Sequence, residues 1–134
     1  SGLVMTVHPM LTECPSSQLP YERNPVSTAY VPYDQQTVGP YCQGCFFGGT
    51  REAIVKMSAE LEVNIDADYN NHGHISPWWD ESHMNKYILT HRPTLLTPSY
   101  AYPDQMQLPR WDRRIVQLEK SLFGGHDFLR AKVS

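Results

Sequence analysis

Nowhere in these 134 residues does an apolar run approach the ~18 residues that a membrane-crossing helix needs. The opening residues carry neither the basic stretch nor the apolar stretch of a secretory leader, so the chain itself reads as soluble. Cysteine is scarce, with 3 residues, of which only Cys42 and Cys45 stand at C-x-x-C spacing. A zinc module usually needs a second such pair, and here only Cys14 and the histidines remain to complete four ligands. A redox dithiol would open a helix directly, whereas this pair is followed by more strand-like residues and two glycines. In an oxidising lumen one disulfide could form, and the odd count leaves one thiol over. Positive charge is also thin. Eleven Lys and Arg against 14 Asp and Glu give a net charge of −3 with no sustained basic stripe, which excludes bulk attraction to nucleic acid or to an anionic membrane.

What is present reads as one compact α/β domain with a good deal of irregular structure, since apolar residues make up 40% and there are 11 prolines. Alternation at Leu3, Met5 and Val7 predicts a strand that ends at His8-Pro9. Residues 10 to 20 are loop-like. A second strand is expected over about 26 to 31, where β-branched and aromatic residues lie between Pro25 and Pro32. Tyr41 to Phe47 reads as a mostly buried strand, with Gly48-Gly49 turning the backbone into a helix over roughly 51 to 63 capped by Thr50. Ile54, Met57 and Leu61 form the buried stripe of that helix. The polar run from Asn64 to Ser76 reads as a loop, its Asn70 to His74 cluster as turn chemistry. A short buried strand at Thr94 to Thr97, an aromatic loop from Tyr100 to Pro109, a strand around Ile115 to Leu118 and a mobile tail from Leu122 complete the expectation.

The chain is organised around Pro77 to Tyr87, which reads Pro-Trp-Trp-Asp-Glu-Ser-His-Met-Asn-Lys-Tyr. Pro77 suits the approach to a helix, Ser76 or Asp80 suits its N-cap, and Met84, Tyr87 and Ile88 recur on one buried face. The helix should stop before Pro93. Asp80 and Glu81 then point in different directions from the first turn, where the helix dipole favours negative charge. Two carboxylates behind paired tryptophans suit a sugar, although an ordinary capped helix with solvated acids and core tryptophans fits the same pattern.

Trp78-Trp79-Asp80-Glu81-Ser82-His83-Met84-Asn85-Lys86-Tyr87 resembles the Trp-His-Asp-Glu-Ser-His-Leu-Asn-Lys-Tyr block of the retaining glycosyltransferases that include the histo-blood-group A and B transferases and the α-1,3-galactosyltransferase. Tyr21-Glu22-Arg23, Ala29-Tyr30-Val31-Pro32, Phe46-Phe47-Gly48-Gly49, His91-Arg92-Pro93-Thr94 and Thr97-Pro98-Ser99-Tyr100 resemble further blocks in the same order. The resemblance implies the C-terminal half of a GT-A-type nucleotide-diphospho-sugar transferase domain, a mixed sheet with flanking helices. The nucleotide-binding half, stem and membrane anchor are expected upstream of Ser1, with lumenal Golgi localisation. It also implies a UDP-sugar donor, a galactose-terminated glycan acceptor, and Mn²⁺ held by residues outside this chain. Asp66-Ala67-Asp68 has the Asp-x-Asp spacing of such a metal motif but falls after the position where the family carries it, so helix termination and solvent are its expected roles.

Carried over residue by residue, the resemblance makes Glu81 the catalytic carboxylate. It makes Asp80, Gln43, Cys45 and Arg130 donor-binding, and His8 and Trp78 acceptor-binding. Trp79 stands where the family usually has histidine or arginine, and Gly124 where it has a lysine. The implied reaction moves galactose or N-acetylgalactosamine to O3 of a terminal galactoside. Two other classes remain open on sequence: a catalytically incomplete carbohydrate-binding remnant, and a zinc module.

Overall fold

A computed structural model describes residues 1–33 and 39–125. Arg130, assigned above to the donor, therefore lies outside the described residues, as does most of the expected tail.

The centre is a mixed three-stranded sheet in the order β2-β1-β3, formed by Leu3–Val7 (β1), Cys42–Gly49 (β2) and Thr94–Leu96 (β3). β1 runs antiparallel to β2 and parallel to β3. Two helices, Arg51–His72 (α1) and Trp79–His91 (α2), pack on it. Leu3, Met5 and Cys42 from the strands meet Met57 and Leu61 from α1 and Met84, Tyr87 and Ile88 from α2 in the main core. The three helical positions foreseen on α2 are thus all inside. A second cluster of Leu19, Tyr21, Val31 and Tyr41 forms a smaller core among the loops that precede β2. A small parallel pair, Tyr102–Pro103 (β4) with Val116–Gln117 (β5), follows a 3₁₀ turn over Pro98–Ala101.

Gly49 is fixed by close approach: a Cβ there would lie 2.3 Å from the Gly2 carbonyl oxygen, nearer than any real contact. The pairing between β1 and β2 is interrupted beside it. Met5 faces Phe47 but Thr6 faces Gln43, so Gly44, Cys45 and Phe46 have no partner on β1 and bulge away from it.

Several expectations are corrected. The segment 26–31 is no strand. Its backbone closes local turns, Ser27 N–H to Asn24 O and Tyr30 N–H to Ser27 O, and returns to Glu22 O through Val31 N–H. The polar run from Asn64 does not end α1, which continues to His72 and stops at Gly73 in the left-handed conformation (φ 60°). That extension holds because segment 27–28 docks on it. Ser27 Oγ donates to Asp68 Oδ2 at 2.6 Å, Thr28 N–H to Asp68 Oδ1 at 2.8 Å and Thr28 Oγ1 to the Asn64 carbonyl at 3.3 Å. Asp66 and Asp68 are therefore helical, and Asp68 is buried rather than solvated. β3 is an edge strand with exposed residues, not a buried one. β2 is buried only through Gln43, since Phe46 and Phe47 face outward. Neither Ser76 nor Asp80 caps α2. Trp78 holds the N-cap position without a side-chain bond, and Trp79 sits at φ 48°, a strained backbone for a bulky residue.

Candidate active site

Glu81 leaves the first turn of α2 toward the bulge in β2, where its Oε2 accepts the Gly44 N–H at 2.7 Å. The bulge makes that bond possible, because an amide without a ladder partner needs another acceptor. Asn85, one turn further along α2, fastens the same two elements. Its Oδ1 accepts from Cys42 N at 2.8 Å, and its Nδ2 donates to Cys42 O at 2.7 Å and to Glu81 O at 2.9 Å. The Tyr41 hydroxyl is the other polar group close to this carboxylate.

Around this carboxylate stand groups that feel its charge. Burial, reinforced by Glu81, pushes the Tyr41 hydroxyl far above its ordinary range and the Cys42 thiol up to about 12. Cys45 is raised by burial as well. The His8 imidazole is lowered by burial, with Glu81 opposing the shift. His8 reaches this place at the end of β1. Its N–H donates to Tyr41 O at 2.9 Å, its Nδ1 accepts the Met10 N–H at 3.3 Å, and its ring meets Tyr41 edge-on with centroids 6.3 Å apart. Tyr41 Oη, Gln43 Nε2 and Thr6 Oγ1 are buried with no hydrogen-bond partner among the described residues. Each such orphan costs about 1–3 kcal/mol.

Gln43 and Cys45 lie together, the thiol donating to Gln43 Oε1 at 2.8 Å and accepting from Gln117 Nε2 on β5. Trp78 is half exposed at the approach to α2. Asp80 takes the other direction, as the helix geometry foresaw. It lines a groove of about 360 Å³ between α1 and α2 with Trp79, Tyr69, His74, Ser76 and His83, not the β2 bulge. The structure thus brings His8, Gln43, Cys45 and Glu81 to one rim and sets Asp80 beside it. Sequence reasoning did not single out Tyr41, although its i, i+2 spacing with Gln43 and Cys45 was the signal, nor Gln117, for which there was none.

No three His, Cys, Asp or Glu side chains converge as a metal site among the described residues. Asp66-Ala67-Asp68 does not fit a divalent cation, because Asp68 has both oxygens engaged by Ser27 and Thr28 and helical geometry turns Asp66 to another face. Cys42 and Cys45 also diverge, one into the core and one to the surface, which does not suit a shared zinc.

Comparison with known proteins decides the family. The model of glycosyltransferase family 6 matches residues 1–123. The chain belongs to glycosyltransferase family 6. Within that family it is 36% identical over 108 residues to globoside α-1,3-N-acetylgalactosaminyltransferase 1 of Gallus gallus, an alignment covering 80% of this chain and 31% of that protein. It is 37% identical over 107 residues to histo-blood group ABO system transferase 2 of Rattus norvegicus, covering 79% of this chain and 31% of the relative. To the O-antigen biosynthesis glycosyltransferase WbnI of Escherichia coli it is 29% identical over 120 residues, covering 90% of this chain and 50% of the relative. The chain therefore spans under a third of the first two family 6 relatives. No helix among the described residues is long and apolar enough to cross a membrane.

Proposed function

We propose that this chain is the catalytic and acceptor-binding half of a retaining GT-A-type transferase, which moves galactose or N-acetylgalactosamine from a UDP-sugar to O3 of a terminal galactoside. The observation that carries the proposal is the Glu81 carboxylate, held through Oε2 by the Gly44 amide in the β2 bulge, on the rim that also presents His8, Gln43 and Cys45. The names of the family 6 relatives, which specify α-1,3 transfer of N-acetylgalactosamine or histo-blood group transfer, support the same class.

Retention places the new bond on the face the leaving group occupied. Glu81 serves it in one of two ways: its carboxylate attacks the anomeric carbon from the opposite face and is then displaced by the acceptor hydroxyl, or it stabilises an oxocarbenium-like centre during same-face transfer. In either case the carboxylate must be held in place, and the Gly44 N–H holds it by donating to Oε2. Asp80, displaced from Glu81 around the helix, orients donor hydroxyls. Trp78 offers an apolar wall to the galactose ring, and His8 contacts the acceptor. Arg130 pairs with the diphosphate. Mn²⁺ would be bound by the upstream half and would neutralise the departing diphosphate. The setting proposed is the lumenal face of the Golgi membrane, reached through an upstream anchor.

The test is an assay of the full-length protein with UDP-galactose and UDP-N-acetylgalactosamine on β-galactosides, the product's anomeric configuration being read by NMR. An α-1,3-linked product supports the reading. A β-linked product, or no transfer from either donor, overturns it.

A further inference from the structure

Behind the first turn of α2, five side chains outside the proposed catalytic rim form a buried polar cluster. Asp68 on α1 is 2% exposed, Glu22 3%, Ser76 3%, and Ser27 and His83 5% each. Ser27 Oγ donates to Asp68 Oδ2 at 2.6 Å and stands 3.4 Å from Ser76 Oγ, which stands 3.4 Å from His83 Nε2. His83 Nε2 is 3.7 Å from Asp68 Oδ2. At the edge His74 Nε2 meets Glu22 Oε2 at 2.8 Å, and Asn24 Nδ2 approaches His74 Nδ1 at 3.4 Å.

A serine, a histidine and an aspartate in contact invite a hydrolase reading, and the geometry rejects it. Ser76 and Asp68 approach the same ring nitrogen, whereas a triad places the serine and the carboxylate on opposite nitrogens, and both serines are closed to solvent. The cluster is instead where three parts meet: the turn at 22–28, the end of α1, and the start of α2. That start has little else to hold it from this side. It has no side-chain N-cap, and Trp79 is strained at φ 48°. Glu81 lies two residues before His83, so the turn of helix carrying both is held between two fastenings. Gly44 and Asn85 fasten it to β2, and His83 fastens it to Asp68 on α1, which Ser27 of the 22–28 turn bonds in turn.

We propose that Asp68, through Ser27, Ser76 and His83, is a positioning residue that sets the first turn of α2 and so the aim of the Glu81 carboxylate at the β2 bulge. A buried network with its acceptors satisfied rigidifies what it joins. Its carboxylate is one residue of an Asp-x-Asp spacing, and this geometry gives that spacing a structural meaning in place of a metal-binding one. The functional side of the inference rests on the proposed role of Glu81. Its structural side does not.

The full-length protein carrying Asp68→Asn tests it by hydrogen exchange and kinetics together. The Gly44 amide, which donates to Glu81, reports the aim of that carboxylate directly. Exchange in the peptide containing Gly44 is expected to quicken about tenfold, while peptides from β1 change less than about twofold. kcat is expected to fall about tenfold with the donor KM nearly constant. Should Asp68→Asn not fold, Ser27→Ala carries the same reading, since it removes the donor nearest Asp68 and leaves the charge in place. Gly44 exchange equal to wild type, or raised no more than that of β1, overturns the positioning role, because a merely structural contact would loosen both alike. Quickened exchange at Gly44 with kcat unchanged overturns the functional side alone and places the failure in the role of Glu81.

Discussion

The Cys45 thiol donates to the Gln43 amide oxygen at 2.8 Å, so the two side chains form one surface at the mouth of the β2 bulge. In the proposed reaction that surface meets C2 of the donor sugar. Cys45 fills space that a glycine would leave free for a 2-acetamido group, and steric exclusion of this kind is worth about 1–3 kcal/mol. The wild type should therefore prefer UDP-galactose, and Cys45→Gly should shift the ratio of kcat/KM toward UDP-N-acetylgalactosamine about tenfold or more. Competition assays with both donors check this. A wild type that prefers the acetamido sugar would remove Cys45 from donor choice.

Asn85 should prove a stability residue rather than a chemical one. Asn85→Ala leaves both the Cys42 N–H and its carbonyl buried and unpaired, and frees the Glu81 carbonyl. A loss of about 2–5 kcal/mol in urea unfolding is expected. A loss below about 1 kcal/mol would mean that water or a shifted side chain replaces those bonds.

Stability should decline on the acid side in two stages. Burial lowers His83 below its ordinary 6.5, against the opposing charges of Asp68 on α1, Glu22 in the preceding turn and Asp80 on its own helix; His74 nearby lowers it further. His8 is lowered in the same direction. A histidine with a depressed folded pKa binds fewer protons when folded. Its contribution is therefore complete above about 6.5 and is lost as pH falls through the lowered folded value. The second stage belongs to Asp68 and Glu22. Burial raises both, but hydrogen bonds from Ser27 and Thr28 to Asp68 and from Asn24 and His74 to Glu22 outweigh it and leave them lowered. Their contribution holds above 3.8 and 4.5 respectively and is lost as pH falls through the folded values. Unfolding midpoints measured against pH should fall below about 6.5, and His83→Gln should flatten the first stage. A midpoint that rises between about pH 6.5 and 5 would contradict this.

How much of this was legible in the sequence depended on whether a signal was local. The faces of α2 were legible because Met84, Tyr87 and Ile88 repeat at helical spacing, and the split between Asp80 and Glu81 follows from that same geometry. The length of α1 was not, because a polar run from Asn64 reads as loop until Ser27 and Thr28, some forty positions earlier, are known to satisfy Asp68. Segment 26–31 misled for the complementary reason: β-branched residues favour strands only when a neighbouring strand is there to pair with. The bulge at Gly44 left no mark beyond a glycine, since register is a property of two strands and only one was being read. The Glu81 to Gly44 bond is invisible in sequence for the same reason, although Glu81 lies in a block that carries the family resemblance and Gly44 two residues before another.

The central claim is that the Glu81 carboxylate faces the anomeric carbon of the donor. Replacing it by glutamine keeps the shape and the capacity to accept from Gly44 while removing the charge. The most direct measurement is the single-turnover transfer rate of Glu81→Gln in the full-length protein, with donor affinity measured alongside. A rate lowered about a thousandfold with the donor Kd within about threefold is the predicted result. A variant that transfers at close to the wild-type rate would contradict the account.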